Sequence, residues 1–498
     1  MSYKQKPLMS RRIALARAAG AAGLGAIFKM TEDPAAAQDR GGAAPQPGRG
    51  APGQAVRPLR GPGGMGGGRG NAHYGAINKY SAPSDLRITD LRSISVAANY
   101  EYDIIRMDTN QGVYGLGEGT GVLKAIADAR EWVVGRNPLD ITAILANLRS
   151  STAHILMSDA HSVLDMCLHD LVGKVFGVPV WRLLGDKKRD RVRMYCDTTE
   201  SSDPKVYAAR MLERKKLGFT FFKMDVGPGI IRNRPGALNA RGVATAKGLQ
   251  MYGEFFQAVR DAIGWDQPLA SDHFGPLDVT DSIRHARSFE PYELTWAEDI
   301  LQVGTLNRGD SPRNWRAYKE IKDATSTPLA MGESLFGLEE GFKPFLDNDA
   351  ISIIHPDPGT SGQCRETKRI GDYANEHGVP VAIHMAGSPL GTMGAVHTAC
   401  TFDNFLAMEC HAVDFMSWWQ ELVTGVPKPF IKDGYITVPD TPGLGIELNE
   451  KVIKEHLRYP GYFEPTTDWD KVTVMPQGTF GWPHFNQFGE WVTDNSDR

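Results

Sequence analysis

Six successive apolar runs in this chain end on ionisable side chains. Their last residues are Asp272, Glu298, Glu333, Asp357, His384 and Glu409, and an earlier run closes on Lys223-Met224-Asp225. An acid after a single run is a solvated turn, whereas six consecutive runs ending this way form a pattern. If the runs are neighbouring parallel strands, the carboxylates of Asp272, Glu298 and Glu333 converge from one side. Three converging anions repel one another unless a cation sits among them. An all-oxygen donor set without thiolate or imidazole favours Mg²⁺. On this reading Glu298 is a metal ligand, and Asp299 beside it is a solvated or supporting neighbour.

The elements that would hold these residues follow from periodicity. After about Arg191, short apolar runs alternate with amphipathic stretches: RVRMYC, FTFFKMD, PLASDH, LTWAED, TPLAMGE, AISIIHPD, PVAIHM and NFLAMEC. Segments with helical spacing, such as residues 244–264 and 315–324, separate most of them. Alternating strand and helix predicts a parallel sheet, and eight such units are the count for a closed β/α barrel, whose active site lies at the C-terminal rim of the strands. An open doubly wound sheet is the competitor, but no glycine-rich phosphate fingerprint follows any of the runs. Ahead of the barrel, residues 86–117 alternate apolar and polar positions like antiparallel strands, and residues 125–184 take helical spacing up to Gly177 and Pro179. The expected organisation is an α+β capping domain over 81–190, a barrel over 191–430, and a C-terminal segment, 431–498, that closes the capping domain.

Bulk properties exclude several classes. The chain has 498 residues and a formal net charge of −4, with no basic cluster suited to a nucleic-acid partner. Its five cysteines are scattered and odd in number, which fits small core residues and not a disulfide framework or a zinc–thiolate site. Residues 1–37 place Arg11 and Arg12 before a weakly apolar Ala/Gly/Leu run and an Ala-x-Ala site, the layout of a twin-arginine signal. This run is too short and too interrupted to span a membrane. Residues 38–80 are rich in Gly, Pro and Arg and are expected to form a flexible tether. The expectation is an exported, periplasmic or extracytoplasmic protein with no membrane span once mature.

Several of these motifs occur together in one known family. GVYGLGEG, SVLDMCLHDLVGKVFGVPVWRLLG, FKMDVG, SDHFG, WAEDI, MGES, HPDPGTSGQ, IHMAGSPLG and DGYITVPDTPGLGIELNE resemble the mandelate racemase/muconate lactonizing enzyme group of the enolase superfamily. The resemblance implies a modified TIM barrel, (β/α)7β, under an α+β cap. It also implies Mg²⁺ on Asp272, Glu298 and Glu333, His384 paired with Asp357 as acid/base, and Glu409 as a substrate-contacting acid. Its shared chemistry is removal of a proton next to a carboxylate, with Mg²⁺ stabilising the enediolate, the arrangement known for this superfamily.

Two departures from the family pattern matter. The usual Lys-x-Lys of the second strand is Lys223-Met224-Asp225 here. Asp225 shares a strand face with Lys223 and would keep its ammonium charged, making it a fixed cation and a poor base. Some acid-sugar dehydratases of the group carry a histidine two positions after the third-strand ligand. Phe274 occupies that position here, and His273, one place earlier, is a candidate substrate contact only if a turn brings it inward. With one base compromised, the expected activity is dehydration of a sugar acid to a 2-keto-3-deoxy acid. A racemase, epimerase or cycloisomerase is the alternative, and an exported sugar-acid binding protein the non-enzymatic one. A homo-oligomer is expected.

Overall fold

A computed structural model describes residues 83–151, 157–272, 274–301, 314–411 and 416–463. The expected signal and tether, residues 1–80, lie outside the described residues, as does His273.

The cap begins with an antiparallel three-stranded sheet of β1 (Ile88–Ala97), β2 (Glu101–Thr109) and β3 (Tyr114–Gly119). The helix Met157–Phe176 packs on β3 at very short range. A Cβ on Gly115 would lie 2.0 Å from the Cys167 carbonyl oxygen, and one on Gly117 would lie 2.4 Å from that of Val163. The spaced glycines of GVYGLGEG therefore let helix and strand backbones touch.

Eight parallel strands follow: β4 (Arg191–Cys196), β5 (Phe222–Asp225), β6 (Leu269–Asp272), β7 (Trp296–Glu298), β8 (Leu329–Met331), β9 (Ile353–Ile354), β10 (Val381–Ile383) and β11 (Phe405–Cys410). Each pairs with the next, and β11 pairs back onto β4 through Met408↔Met194, Glu409↔Tyr195 and Cys410↔Cys196. That closure excludes the open doubly wound sheet. Several connecting helices start on side-chain caps that the local sequence supplies. Asp203 accepts from Lys205 N, Thr245 from Gly248 N, Asp278 from Asp281 N and Ser388 from Leu390 N. The helix Pro389–Ala399 is buried at every position, because it lies between the barrel and the cap.

The C-terminal segment returns to both units. Tyr435–Thr437 pairs antiparallel with the start of β4. Residues 456–458 then run along β1, where Ala97 N donates to the His456 carbonyl at 2.9 Å and Arg458 N to that of Ser95 at 2.7 Å. All five cysteines are buried thiols. No described helix is long and apolar enough to cross a membrane.

Candidate active site

The barrel interior is built in layers by the two-residue period of its strands. Tyr195, Phe221, Ala270, Trp296, Ala330, Ile353, Ala382 and Ala407 form one apolar cluster, one residue from each strand or its flank. Two positions further along stand Asp197, Lys223, Asp272, Glu298, Gly332, His355, His384 and Glu409. Gly332 is the single non-ionisable member. Its φ is +132°, and a Cβ there would lie 2.5 Å from the Phe342 ring. The alternation breaks at that glycine, so the fifth strand delivers its acid one place later, as Glu333.

Asp272, Glu298 and Glu333 present carboxylate oxygens within 4.8 Å of one another. Glu298 is fully buried, and both its oxygens are fixed. Oε2 accepts from Trp296 Nε1 at 2.8 Å, while Oε1 lies 3.1 Å from Lys223 Nζ and 3.3 Å from His355 Nδ1. Burial, with Asp272, Glu409 and Glu333 nearby, pushes the Glu298 carboxyl well above its usual range despite Lys223. A site that disfavours its own negative charge this strongly calls for a cation. Three hard oxygen donors fit Mg²⁺.

Lys223 is 1 % exposed, and its Nζ lies 2.7 Å from Glu409 Oε1 and 3.6 Å from Asp272 Oδ2 in addition to Glu298. Burial opposes its charge, but Glu298, Glu409, Tyr195 and Asp272 together hold the ammonium well above its ordinary pKa. This environment favours a fixed cation at Lys223. Three close carboxylates come from β6, β7 and β11. Asp225 is held through its backbone by Tyr207, whose hydroxyl contacts Asp225 N at 2.8 Å and Asp225 O at 3.2 Å. The charge of Asp225 acts on Asp197, which burial and then Asp225 raise to about 6.

Asp357 caps the short helix Pro358–Ser361. Its Oδ1 accepts from Gly359 N at 2.6 Å and its Oδ2 meets His384 Nδ1 at 2.6 Å. The carboxylate thus has one oxygen on the backbone and one on the imidazole. His384 Nε2 is left facing the acids, 3.3 Å from Glu333 and 3.8 Å from Glu409. Burial would discharge this ring, but Glu333, Glu409 and Asp357 raise its pKa well above the usual value.

Five further residues belong to this site. His355 is fully buried between Glu298 and the Tyr195 hydroxyl, which is 2.6 Å from its Nε2, and burial lowers its pKa well below the usual value. It follows Ile353 by two residues, so strand phase places it inside, although it sits within an apolar run. Asp197 follows β4 in the same phase. His411, two residues after Glu409, lies 2.9 Å from Glu409 Oε1 and 3.4 Å from Asp197 Oδ2. Tyr100, on the β1–β2 turn of the cap, brings its hydroxyl to 3.2 Å from His411 Nδ1. Asp299 is not solvated: it is 5 % exposed at φ 42°, which turns the chain away after Glu298.

A further buried acid ties the cap to the N-terminus of the helix Pro389–Ala399 that follows His384. Glu118 on β3 accepts from Ser388 N at 2.7 Å, from the Ser388 hydroxyl and from Gly391 N at 3.3 Å. Burial raises its pKa to about 7 against these three donors.

Comparison with known proteins agrees with this architecture. Residues 88–185 match the model of the mandelate racemase/muconate lactonizing enzyme N-terminal domain, and residues 206–452 that of the enolase C-terminal domain-like family. The chain is 32 % identical over 387 residues to a D-xylonate dehydratase of Haloferax volcanii, covering 75 % of this chain and 89 % of the relative. It is 26 % identical to a D-gluconate dehydratase of Thermoproteus tenax, covering 72 % and 70 % respectively. A mandelate racemase/muconate lactonizing enzyme-like protein of Rubrobacter xylanophilus superposes with a TM-score of 0.68 at 29 % identity, over 76 % of this chain and 99 % of that one. With cap, closed barrel and rim acids in place, this chain belongs to the mandelate racemase/muconate lactonizing enzyme group of the enolase superfamily.

Proposed function

We propose that the protein is a Mg²⁺-dependent hydro-lyase that removes the α-proton of a sugar acid and eliminates water to give a 2-keto-3-deoxy sugar acid. The observation that carries this reading is the position of His384. Its Nδ1 is held by Asp357 and its Nε2 is aimed at the three-acid cluster. Asp272, Glu298 and Glu333 would hold the ion, which supplies positive charge where the substrate carboxylate becomes more negative as the proton leaves.

The chain's own groups then divide the work. With a cation among the acids to offset the Glu333 charge that raises its pKa, His384 Nε2 takes the α-proton. Asp357 keeps the tautomer that leaves Nε2 free and stabilises the resulting imidazolium. Lys223 holds a fixed positive charge against the substrate carboxylate, because an ammonium flanked by carboxylates at 2.7 and 3.1 Å does not serve as a base. The relatives act on D-xylonate and D-gluconate, so a linear aldonic acid is the substrate class to try first.

The test is incubation with D-xylonate, D-gluconate, D-galactonate and D-mannonate, with Mg²⁺ or with excess EDTA, followed by assay for 2-keto product. Product with Mg²⁺ and none with EDTA is expected. Full turnover in EDTA would sink the metal assignment, and inverted substrate without keto acid would replace the lyase by an epimerase. We also propose export of the folded enzyme by way of Arg11 and Arg12. Replacing both by lysine should retain it in the cytoplasm, and an unchanged location would argue for another route.

A further inference from the structure

We infer that His411 is the acid that protonates the departing hydroxyl, so that two imidazoles divide the elimination between them. This rests on the lyase reading above and adds the residue that completes it.

The geometry points to His411 because the barrel mouth holds two imidazole–carboxylate pairs, not one. His384 Nδ1 meets Asp357 at 2.6 Å, and His411 Nδ1 lies 3.4 Å from Asp197. Both rings turn Nε2 toward Glu409, at 3.8 Å for His384 and 2.9 Å for His411, and their centroids are 5.8 Å apart. Asp357 and Asp197 stand on opposite sides of β10 and β11, so the two pairs approach Glu409 from different directions. His411 Nε2 is buried, and its contact with Glu409 lacks hydrogen-bond alignment, so among the described residues this nitrogen has no aligned acceptor. Tyr100 meets the ring at Nδ1, which leaves Nε2 as the nitrogen turned to the site.

Among the described residues, the third strand provides no second imidazole. Phe274, two residues after Asp272, is 1 % exposed and packs on Phe289 of the helix layer at 5.1 Å between centroids, away from the barrel interior. A phenyl ring has no proton to give.

The step balances without any redox partner. The Cα–H bond breaks and its proton passes to His384 Nε2. The Cα=Cβ bond forms as the Cβ–O bond breaks, and the proton on His411 Nε2 joins that oxygen, which leaves as water. The enol then takes a proton at Cβ and loses its hydroxyl proton to become the 2-keto acid. His411 regains a proton from solvent as His384 releases one.

The two halves can be read separately in deuterium oxide, using whichever of the four aldonates the wild type dehydrates fastest. In His411→Asn, and in His411→Gln, which retains a donor near the place of Nε2 without a transferable proton, keto-acid formation should fall about 10²-fold or more. Deuterium should still enter C2 of the recovered substrate at a rate within about tenfold of wild-type proton abstraction. The 3-deoxy-3-fluoro analogue of the same acid should release fluoride in both variants at close to the wild-type rate, since fluoride leaves without a proton. Mn²⁺ binding to each variant checks that the fold and metal site persist. Exchange and elimination falling together, or elimination staying near wild type, would overturn the role of His411. A wild type that neither exchanges nor dehydrates any of the four acids would refute the lyase reading itself.

Discussion

Two layers of side chains fill the barrel, and one pleat separates them. The lower layer is apolar from Tyr195 round to Ala407, and the upper is ionisable at every strand but the fifth. Both rest on the same backbone, so the difference between them comes from side-chain chemistry alone. The lower layer is a packed plug in which Trp296 and the small Ala270, Ala330, Ala382 and Ala407 interlock. Its two polar atoms, Trp296 Nε1 and the Tyr195 hydroxyl, both reach into the upper layer, to Glu298 and His355. The upper layer buries charge that would be costly without partners, and Lys223 offsets part of that cost from the centre. This barrel stores stability in one layer and chemistry in the next, and hydrogen bonds from below orient the charges above.

The strongest way to break that division is to remove the central cation. Lys223→Met leaves Glu298, Glu409 and Asp272 without a counter-ion, and should cost about 4 kcal/mol of stability in EDTA. Denaturation by urea measures it, and added Mg²⁺ should restore part of the loss. Unchanged stability would mean that the upper layer is not held by Lys223.

Glu118 provides a buried acid outside both layers, with no cation beside it among the described residues. Its folded pKa of about 7 lies above its ordinary 4.5, so the folded state binds the extra proton between those values. Its contribution is complete below about pH 4.5 and is lost as pH rises to about 7, worth up to about 3 kcal/mol. Glu118→Gln, which mimics the protonated carboxyl, should flatten this part of the pH–stability curve. An equally steep curve in the variant would assign the slope to other groups.

Ile353→Ala opens a cavity in the lower layer and should cost about 2 to 3 kcal/mol while leaving Mg²⁺ affinity intact. A matching loss of metal affinity would show that the layers are not separable. The smallest effect is expected from Tyr195→Phe, which removes the hydroxyl under His355. It should lower stability by about 1 kcal/mol, with a modest change in metal affinity through Glu298. No change in either would make the 2.6 Å contact incidental.

Much of this site was legible in the sequence because a barrel strand announces its C-terminal end as the close of an apolar run. Asp272, Glu298, His384 and Glu409 sit at or just after such ends, and Glu333 and Asp357 follow shortly beyond β8 and β9. The remainder escaped for two physical reasons. His355 is a buried, uncharged ring inside the run ISIIHPD, where only strand phase marks it as inward-facing. Contacts such as Lys223 to Glu409 within the barrel, or Tyr100 of the cap to His411, join segments far apart in the chain, and no local pattern encodes them. Spacing sets the strand face that Lys223 and Asp225 share, but not the length and reach of the side chains that bring Glu298 and Glu409 to Lys223.

The central claim is that His384 abstracts the α-proton at the ionisable layer. Its most direct test is solvent deuterium entering C2 of a substrate aldonate, followed by NMR with Mg²⁺ present, for wild type, His384→Asn and Lys223→Met. Exchange is expected in wild type, slower exchange in Lys223→Met, and none in His384→Asn. Exchange that survives in His384→Asn and vanishes in Lys223→Met would contradict it.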